Sequence, residues 1–453
     1  MIETIHFFHT NDIHSHFEYW PRMQYYIKEQ RLTYAKLGEP SFLFDIGDHL
    51  DRSNIYTEAT LGKGNVELLN EAQYDVVTIG NNEGITLTHE DLYHLYDEAK
   101  FDVVVANLHV KSGVNPNWIK PYAILTTKYG TKIGVVGATA SFPAFYDELN
   151  WNITEPIEAI KHAVNELKDQ VNMILCLSHL GISNDELLAK ECPDIDVIFG
   201  SHTHHLFLEG KLVDHVLLTG CGKFGIYTGH LQVQYDHQKR RVIKKKENVI
   251  ENALLPEIEK EGTFIESLAL KGKELLNQPV FRTSKSYNKE WFHHSNLSRV
   301  FEKCLIEFTD ADCAMFNAGI FLGGLKKGIV TKYDIHKILP HPINACVIEL
   351  SGEELKEVLL LSENEDWPLL ELKGLGFRGT IFGKLLTYHF SLNDDNELIV
   401  KGQKADLNQT YRLATLDMYT FGYFFPSFKE AKKKYYLPLF LRDILSEYGE
   451  KYL

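Results

Sequence analysis

The sequence predicts an α/β fold in two domains, and three observations carry the prediction. Short apolar runs alternate with amphipathic stretches through the first half of the chain. At 453 residues the chain is too long for one compact core. The composition then changes near residue 240, where Lys239–Arg241 and Lys244–Lys246 lead into a polar stretch rich in Glu, Lys and Leu.

Taken in order, Ile5–His9, Ser41–Phe44, Val76–Ile79, Val103–Ala106, Ile133–Val136, Ile174–Leu177 and Val197–Phe199 read as buried strands. Their continuous apolar character suits a sheet covered on both faces. Between them, Arg22–Lys36, His89–Ala99 and Glu155–Gln170 read as helices. In the last, Ile157, Ile160, Val164 and Leu167 recur at helical spacing behind an entry proline. Alternation of this kind is the signature of an α/β domain. Asn252–Asn277 reads as a linking helix, with the basic run before it as a solvated face. The pattern restarts at about Ser284 and ends in the aromatic-rich Tyr419–Phe428. The expected domains are 1–245 and 284–453, with 246–283 as the linker.

Composition narrows the partners. A hydrophobic content of 44% with 24% charged residues excludes global disorder. The formal charge of −15, from 47 Lys+Arg against 62 Asp+Glu, disfavours nucleic-acid polymers and anionic membrane surfaces. It leaves phosphate-bearing small molecules open, because bound cations invert the local field. No apolar run approaches about 18 residues, so a membrane span is not expected. MIETIHFFHTND enters a strand without an export signal, and six scattered cysteines show no CxxC pair. A cytoplasmic protein with buried, reduced thiols is expected. The unusual count is 21 histidines.

The chemistry lies at the strand ends. Ile5–His9 is followed by Asp12-Ile13-His14, Phe42–Ile46 by Gly47-Asp48, and Val76–Ile79 by Gly80-Asn81-Asn82-Glu83. Ile174–Ser178 is followed by His179, and Val197–Phe199 by Gly200-Ser201-His202-Thr203-His204. Five apolar runs thus deliver Asp, Asn or His to loops at their carboxyl ends, where open α/β sheets bind ligands. Asp12, His14, Asp48, Asn81, His179, His202 and His204 offer carboxylate, amide and imidazole groups without thiolates. That palette suits Mn, Zn, Fe or Co. Seven ligands exceed the need of one tetrahedral ion and fit two divalent ions sharing a carboxylate. Such a pair, about 3.5–4 Å apart, clamps a phosphate and generates hydroxide at neutral pH.

The order Asp-x-His, Gly-Asp, Gly-Asn, His, Gly-x-His-x-His resembles the calcineurin-like metallophosphoesterases. The second half is similar to the carboxy-terminal domain of the bacterial 5′-nucleotidase family. Asn296-Leu297, Asn317-Ala318-Gly319, Gly328–Thr331, Leu339-Pro340 and Ile348–Leu355 carry that likeness. The resemblance implies a four-layer α/β/β/α domain joined by a linking helix to a smaller α/β substrate domain. It implies one metal site from Asp12, His14, Asp48 and His204, and another from Asp48, Asn81, His179 and His202, with Asp48 bridging. The implied reaction is hydrolysis of a nucleotide or related phosphate ester by metal-bound hydroxide.

The departures are informative. Relatives carry Gly-Asn-His-Glu-x-Asp at the third motif, where the His acts on phosphate or leaving group. Here Asn82 stands at the His position and Ile85 at the Asp position. An amide donates a hydrogen bond but transfers no proton at neutral pH. Asn82 is therefore assigned as a phosphate hydrogen-bond donor, and His16 and His49 are further candidates beside the motifs. In the second domain the arginine that relatives place after Asn-x-Gly-Gly is missing. Asn317, Phe377, Arg378, Phe424 and Phe425 are the substrate candidates, the rings by stacking and Arg378 by gripping an anion. Two alternatives stay open: a non-catalytic metal- or nucleotide-binding protein that lost turnover with the His-Asp pair, and a cyclic-nucleotide or diphosphate hydrolase.

Overall fold

A computed structural model describes all residues except 260, 373 and 375. The chain divides into two compact units, Met1–Lys271 and Gly272–Leu453.

The strands of the first unit are β1 (Ile2–Thr10), β2 (Ser41–Ile46), β3 (Val76–Thr78), β4 (Asp102–Val103), β5 (Leu108–Val110), β6 (Tyr122–Thr126) and β7 (Lys132–Thr139). They continue as β8 (Trp151–Ile153), β9 (Met173–His179), β10 (Val197–Gly200), β11 (Lys211–Val213), β12 (Val216–Thr219), β13 (Tyr227–Asp236) and β14 (Arg241–Glu251). The helices are α1 (Trp20–Leu37), α2 (Ile55–Thr60), α3 (Lys63–Glu71), α4 (Asn81–Thr86), α5 (His89–Tyr93), α6 (Pro143–Glu148), α7 (Pro156–Leu167) and α8 (Ile182–Glu191). The helix α9 (Glu261–Leu276) crosses the division between the units.

One sheet has the order β14-β13-β1-β2-β3-β4 and the other β11-β12-β10-β9-β7-β6. Strands β1 to β4 are parallel in the first, and β7, β9, β10 and β12 in the second. Parallel pairing sends the carboxyl ends of each set to the same edge. The sheets face each other across a core in which Phe7, Phe44, Ile46 and Val76 meet Leu175, Leu177, Val197 and Phe199. Phe199 of the second sheet packs edge-on to Phe44 of the first at 5.7 Å between centroids. On the outer face of the second sheet, Ile157, Ile160, Val164 and Leu167 of α7 cover Val136, Ile174, Cys176 and Ile198. α1 covers the first sheet, stacking Tyr34 on His6 at 3.6 Å. The unit is therefore layered α/β/β/α, with all strand-end loops of the expected motif set on one side.

Several elements differ from expectation. Only His89–Tyr93 of the 89–99 stretch is helical, capped by Thr88; turns carry Leu95 and Tyr96 into the core. Arg241, Lys244 and Lys245 of the basic run, together with residues 246–251 of the expected linker, belong to β14, whose alternation buries Glu247 while Lys244 and Lys246 face outward; Lys239 and Arg240 lie in the turn before it. The 252–277 stretch holds a short 3-10 helix at Asn252–Leu254 before α9, and Pro279–Thr283 is a strand. Three histidines outside the strand-end loops are buried polar ties: His9 pairs with Glu247 at 2.9 Å, and His6 bonds His230 at 3.0 Å. All six cysteines are free and buried. Among the described residues no helix is long and apolar enough to cross a membrane.

The second unit is built on a five-stranded mixed sheet. Its spatial order is Leu385–Tyr388, Cys313–Asn317, Thr410–Leu416, Asn344–Ser351 and Lys433–Phe440. Helices Asn296–Thr309, Gly352–Ser362 and Leu441–Tyr448 enclose a core that includes Phe301, Phe316, Phe321 and Leu413.

Candidate metal centre

Loops from both sheets of the first unit converge. β1, β2 and β3 lead into the Asp12-His14, Asp48 and Asn81 loops; β9 ends on His179, and β10 leads into His202 and His204. Bringing them together costs backbone freedom. Asp12, His14, Asp48, His202 and His204 all hold left-handed conformations, with φ between 48° and 72°. Non-glycine residues seldom adopt this region, and such strain collects at functional sites. Two glycines permit the approach. A Cβ on Gly47 would lie 2.4 Å from the Gly80 nitrogen, and one on Gly80 would lie 2.1 Å from Asp48 Oδ1.

Two ligand sets result. Asp12, His14 and His204 place their ligand atoms within 4.8 Å of one another, as do Asp12, Asp48 and His179. Asp12 belongs to both, and Asp48 Oδ2 lies 3.7 Å from His14 Nε2 and 3.5 Å from His179 Nε2. His202 stands beside the second set, its ring 5.2 Å from that of His179. Asn81 opens α4 next to Gly80.

The surrounding hydrogen bonds aim these atoms. Asp12 Oδ2 accepts from Asn11 Nδ2 (2.7 Å), Ser201 Oγ (2.6 Å) and the His202 amide (3.2 Å). His179 donates from Nδ1 to the Ile46 carbonyl at 2.7 Å, which turns Nε2 toward the carboxylates. Three atoms are left buried without any hydrogen-bond partner: Asp12 Oδ1, Asn81 Oδ1 and His179 Nε2. Orphaned buried polar atoms are costly and rare, and three on adjacent ligand candidates fit a cation between them. Residues of this type and disposition thus suit divalent metal.

Electrostatics agree. Burial alone would raise Asp48, but the charges of His179 and His14 and the Asn82 amide hold its carboxyl below the usual range. Burial lowers His202 to about 4, so its imidazole is neutral and able to ligate. Glu83, driven up to about 7 by burial and by Asp48, accepts from the amides of Asp48 (2.9 Å), Gly80 (2.7 Å) and Leu50 (3.0 Å). One carboxyl group thereby locks the second loop to the third.

Asn82 lies among these groups. Its amide nitrogen Nδ2 donates to Asp48 Oδ2 at 2.7 Å and stands 3.3 Å from His14 Nδ1, while its backbone N–H donates to Asp48 Oδ1 at 2.7 Å. Of the two neighbouring histidines, His49 is buried against Trp20 and Asn65, and burial lowers it to about 3. His16 is at the surface, 43% exposed, with its ring tilted against Phe224 at 3.9 Å.

The substrate candidates of the second unit are placed differently from the sequence expectation. Asn317 is buried, its amide donating to the Phe382 carbonyl and its oxygen accepting from Tyr419. Phe424 and Phe425 are buried against Trp367, Phe382, Tyr419 and Phe428, and Phe377 stacks on His341. These four side chains are core, so substrate contact there would require the packing to open. Arg378 is half-buried, donating from Nη1 to the Phe377 carbonyl. The exposed rings of the late aromatic run are Phe421 (45%) and Tyr423 (66%).

Asn11, Ser201 and Glu83 were not assigned from sequence, although each is a direct neighbour of a ligand in its motif. Asp185 of α8 is a fourth buried group near the site. It accepts from Ser178 Oγ at 2.5 Å, its other oxygen has no partner, and burial pushes its carboxyl up to about 8. The native protein therefore keeps this proton between about pH 4 and 8 where the unfolded chain loses it, and stability falls as pH rises through that range. Asp185→Asn removes the penalty. It is expected to raise the unfolding free energy more at pH 8 than at pH 5, by on the order of 2 kcal/mol. Thermal unfolding at the two pH values checks this; equal shifts would refute it.

Comparison with known proteins agrees with this geometry. Residues 5–206 match the calcineurin-like phosphoesterase family model, and residues 277–429 match the 5′-nucleotidase, C-terminal domain model. An uncharacterized metallophosphoesterase of Bacillus subtilis is 41% identical over 98% of this chain and 99% of its own length. A snake venom 5′-nucleotidase of Naja atra is 24% identical over 77% of this chain and 76% of its own. The fold is shared with a putative 5′-nucleotidase structure from Staphylococcus aureus, with a TM-score of 0.69 at 17% identity over 98% of this chain and 96% of that one. The chain belongs to the 5′-nucleotidase family of metallophosphoesterases, hydrolases that join a calcineurin-like phosphoesterase domain to a 5′-nucleotidase carboxy-terminal domain.

Proposed function

We propose that the protein is a dimetal phosphoesterase hydrolysing a nucleotide or a related small phosphate ester. The observation that carries this reading is the pair of overlapping ligand sets, in which Asp12 Oδ1 and His179 Nε2 are buried without hydrogen-bond partners. Asp12, His14, Asp48 and His204 would hold one ion, and Asp48, Asn81, His179 and His202 the other. Mn, Zn, Fe or Co suits the donors. When bound, the ions supply Lewis-acid stabilisation of phosphoryl oxygens and an acidified water.

The chain's own residues do the rest. Asn11 and Ser201 fix Asp12, Ile46 fixes His179, and Glu83 fixes the relative height of the Asp48 and Asn81 loops. Asn82 offers amide hydrogens to Asp48 and to a phosphate oxygen arriving beside it. It cannot protonate a leaving group. That absence favours a second reading within the same class, in which a cyclic phosphodiester or a diphosphate leaves without an acid. The second unit is the candidate substrate-binding part, and the family to which its model belongs supports a nucleotide. Six free, buried thiols support a cytoplasmic setting, and the 5′-nucleotidase, C-terminal domain match supports a role in nucleotide catabolism.

The test is metal content measured together with phosphate release across nucleoside monophosphates, cyclic nucleotides, diphosphates and simple esters. Metal-dependent release is expected, abolished by chelation and lowered at least about 100-fold in His202→Ala. Preference for cyclic or diphosphate substrates would select the second reading. Asn82→His is expected to raise monoester turnover by about 10-fold or more. Metal-replete protein inert on the whole panel, and not rescued by Asn82→His, would refute catalysis.

A further inference from the structure

Phe224 shares the left-handed backbone of the metal ligands, with φ of 62°, yet it has no ligand atom to offer. For a bulky aromatic this conformation is an outlier. Gly222 and Gly225 on either side adopt the same region at 73° and 61°, so the turn after β12 is a tight crook. It is fastened to the first ligand loop at three points. The Phe224 amide donates to the Asp12 carbonyl at 2.8 Å, Asn11 Nδ2 donates to the Gly222 carbonyl at 2.7 Å, and the Cys221 amide donates to Asn11 Oδ1 at 3.0 Å. A glycine at 224 would make the same backbone bond without strain. The phenyl ring therefore has its own use.

The ring's neighbours are imidazoles. His16 lies tilted against it at 3.9 Å and 31°, and His14 meets it edge-on at 5.8 Å and 74°. The Lys223 ammonium lies 4.5 Å from its centroid. Around His14, polar groups address both nitrogens: Asn82 at 3.3 Å and Asp51 at 3.8 Å face Nδ1, and His204, Asp12 and Asp48 face Nε2. The Phe224 ring adds an apolar edge-on contact to this polar surround.

We propose that Phe224 is a positioning residue of the metal centre: its ring, delivered by a strained turn bolted to Asp12, packs edge-on against His14 and buttresses that imidazole, with His16 beside it. This rests on the metal-binding reading given above. Such supporting contacts are typically worth 10–100-fold in metal affinity.

The experiment compares wild type with Phe224→Gly, Phe224→Leu and Phe224→Tyr. Mn²⁺ affinity is read by titration calorimetry and thermal stability in metal-depleted protein. Phe224→Gly is expected to bind Mn²⁺ about 10-fold more weakly, while its metal-depleted melting temperature is no lower than wild type. Phe224→Tyr, which keeps the ring, is expected to bind as wild type does. Phe224→Leu, which keeps bulk and strain but no aromatic face, is expected to fall between them, and it carries the test if the glycine variant does not fold. Phe224→Gly or Phe224→Leu binding Mn²⁺ as tightly as wild type would overturn the inference alone. Wild type that takes up no Mn²⁺ would overturn the proposed function and the inference with it.

Discussion

Asp48→Ala is expected to lose metal-dependent phosphate release by a factor of about 1,000 or more, and to lose bound metal with it. Asp48 is buried, and its Oδ2 lies 3.7 Å from His14 Nε2 and 3.5 Å from His179 Nε2. Removing it leaves two imidazoles facing each other without the charge between them. It also frees both donors of Asn82, which Asp48 currently receives at 2.7 Å. Asp48→Asn tests charge apart from shape, because an amide can keep one Asn82 bond while surrendering the negative charge. Phosphate release and metal analysis on both variants check this. An alanine variant that retains two equivalents of metal and a tenth of the activity would remove Asp48 from the centre.

Glu83→Leu is expected to destabilise the first unit by roughly 3 kcal/mol and to inactivate it as well. Each buried amide left without an acceptor costs about 1–3 kcal/mol, and Glu83 serves the amides of Asp48, Gly80 and Leu50. Glu83→Gln keeps one acceptor oxygen and should retain part of the stability. Urea unfolding followed by tryptophan fluorescence measures the loss. A leucine variant within 0.5 kcal/mol of wild type would show that water or a shifted loop replaces the carboxylate.

Much of the site was legible because ligand type and strand periodicity coincide. An apolar run followed by glycine and then Asp, Asn or His is readable without coordinates, and the structure groups Asp12 with His14 and His204 and, separately, with Asp48 and His179. What support these ligands receive was not legible. Glu83 acts on an amide 35 residues away, and no local pattern announces that distance. Phe224 reads as an ordinary aromatic until its φ is known. The aromatic run 421–428 misled for a related reason. Phe424 and Phe425 differ from Phe421 and Tyr423 only in what Trp367 and Phe382 cover, and that coverage comes from distant segments. The 89–99 stretch has helical spacing in Leu92, Leu95 and Tyr96, but turns satisfy the same burial.

The two sheets of the first unit are separate hydrogen-bonded systems, joined across their interface by side-chain packing such as Phe44 on Phe199. The ligand candidates come from both: Asp12, His14, Asp48 and Asn81 from the loops of one sheet, His179, His202 and His204 from the other. A cation held among them is a rivet through the open edge of a sandwich. Its binding free energy adds to the cohesion of layers that otherwise adhere by packing and by hydrogen bonds such as His179 to the Ile46 carbonyl and Ser201 to Asp12. In a cell where metal supply fluctuates, the lifetime of this chain and its catalytic competence would then rise and fall together.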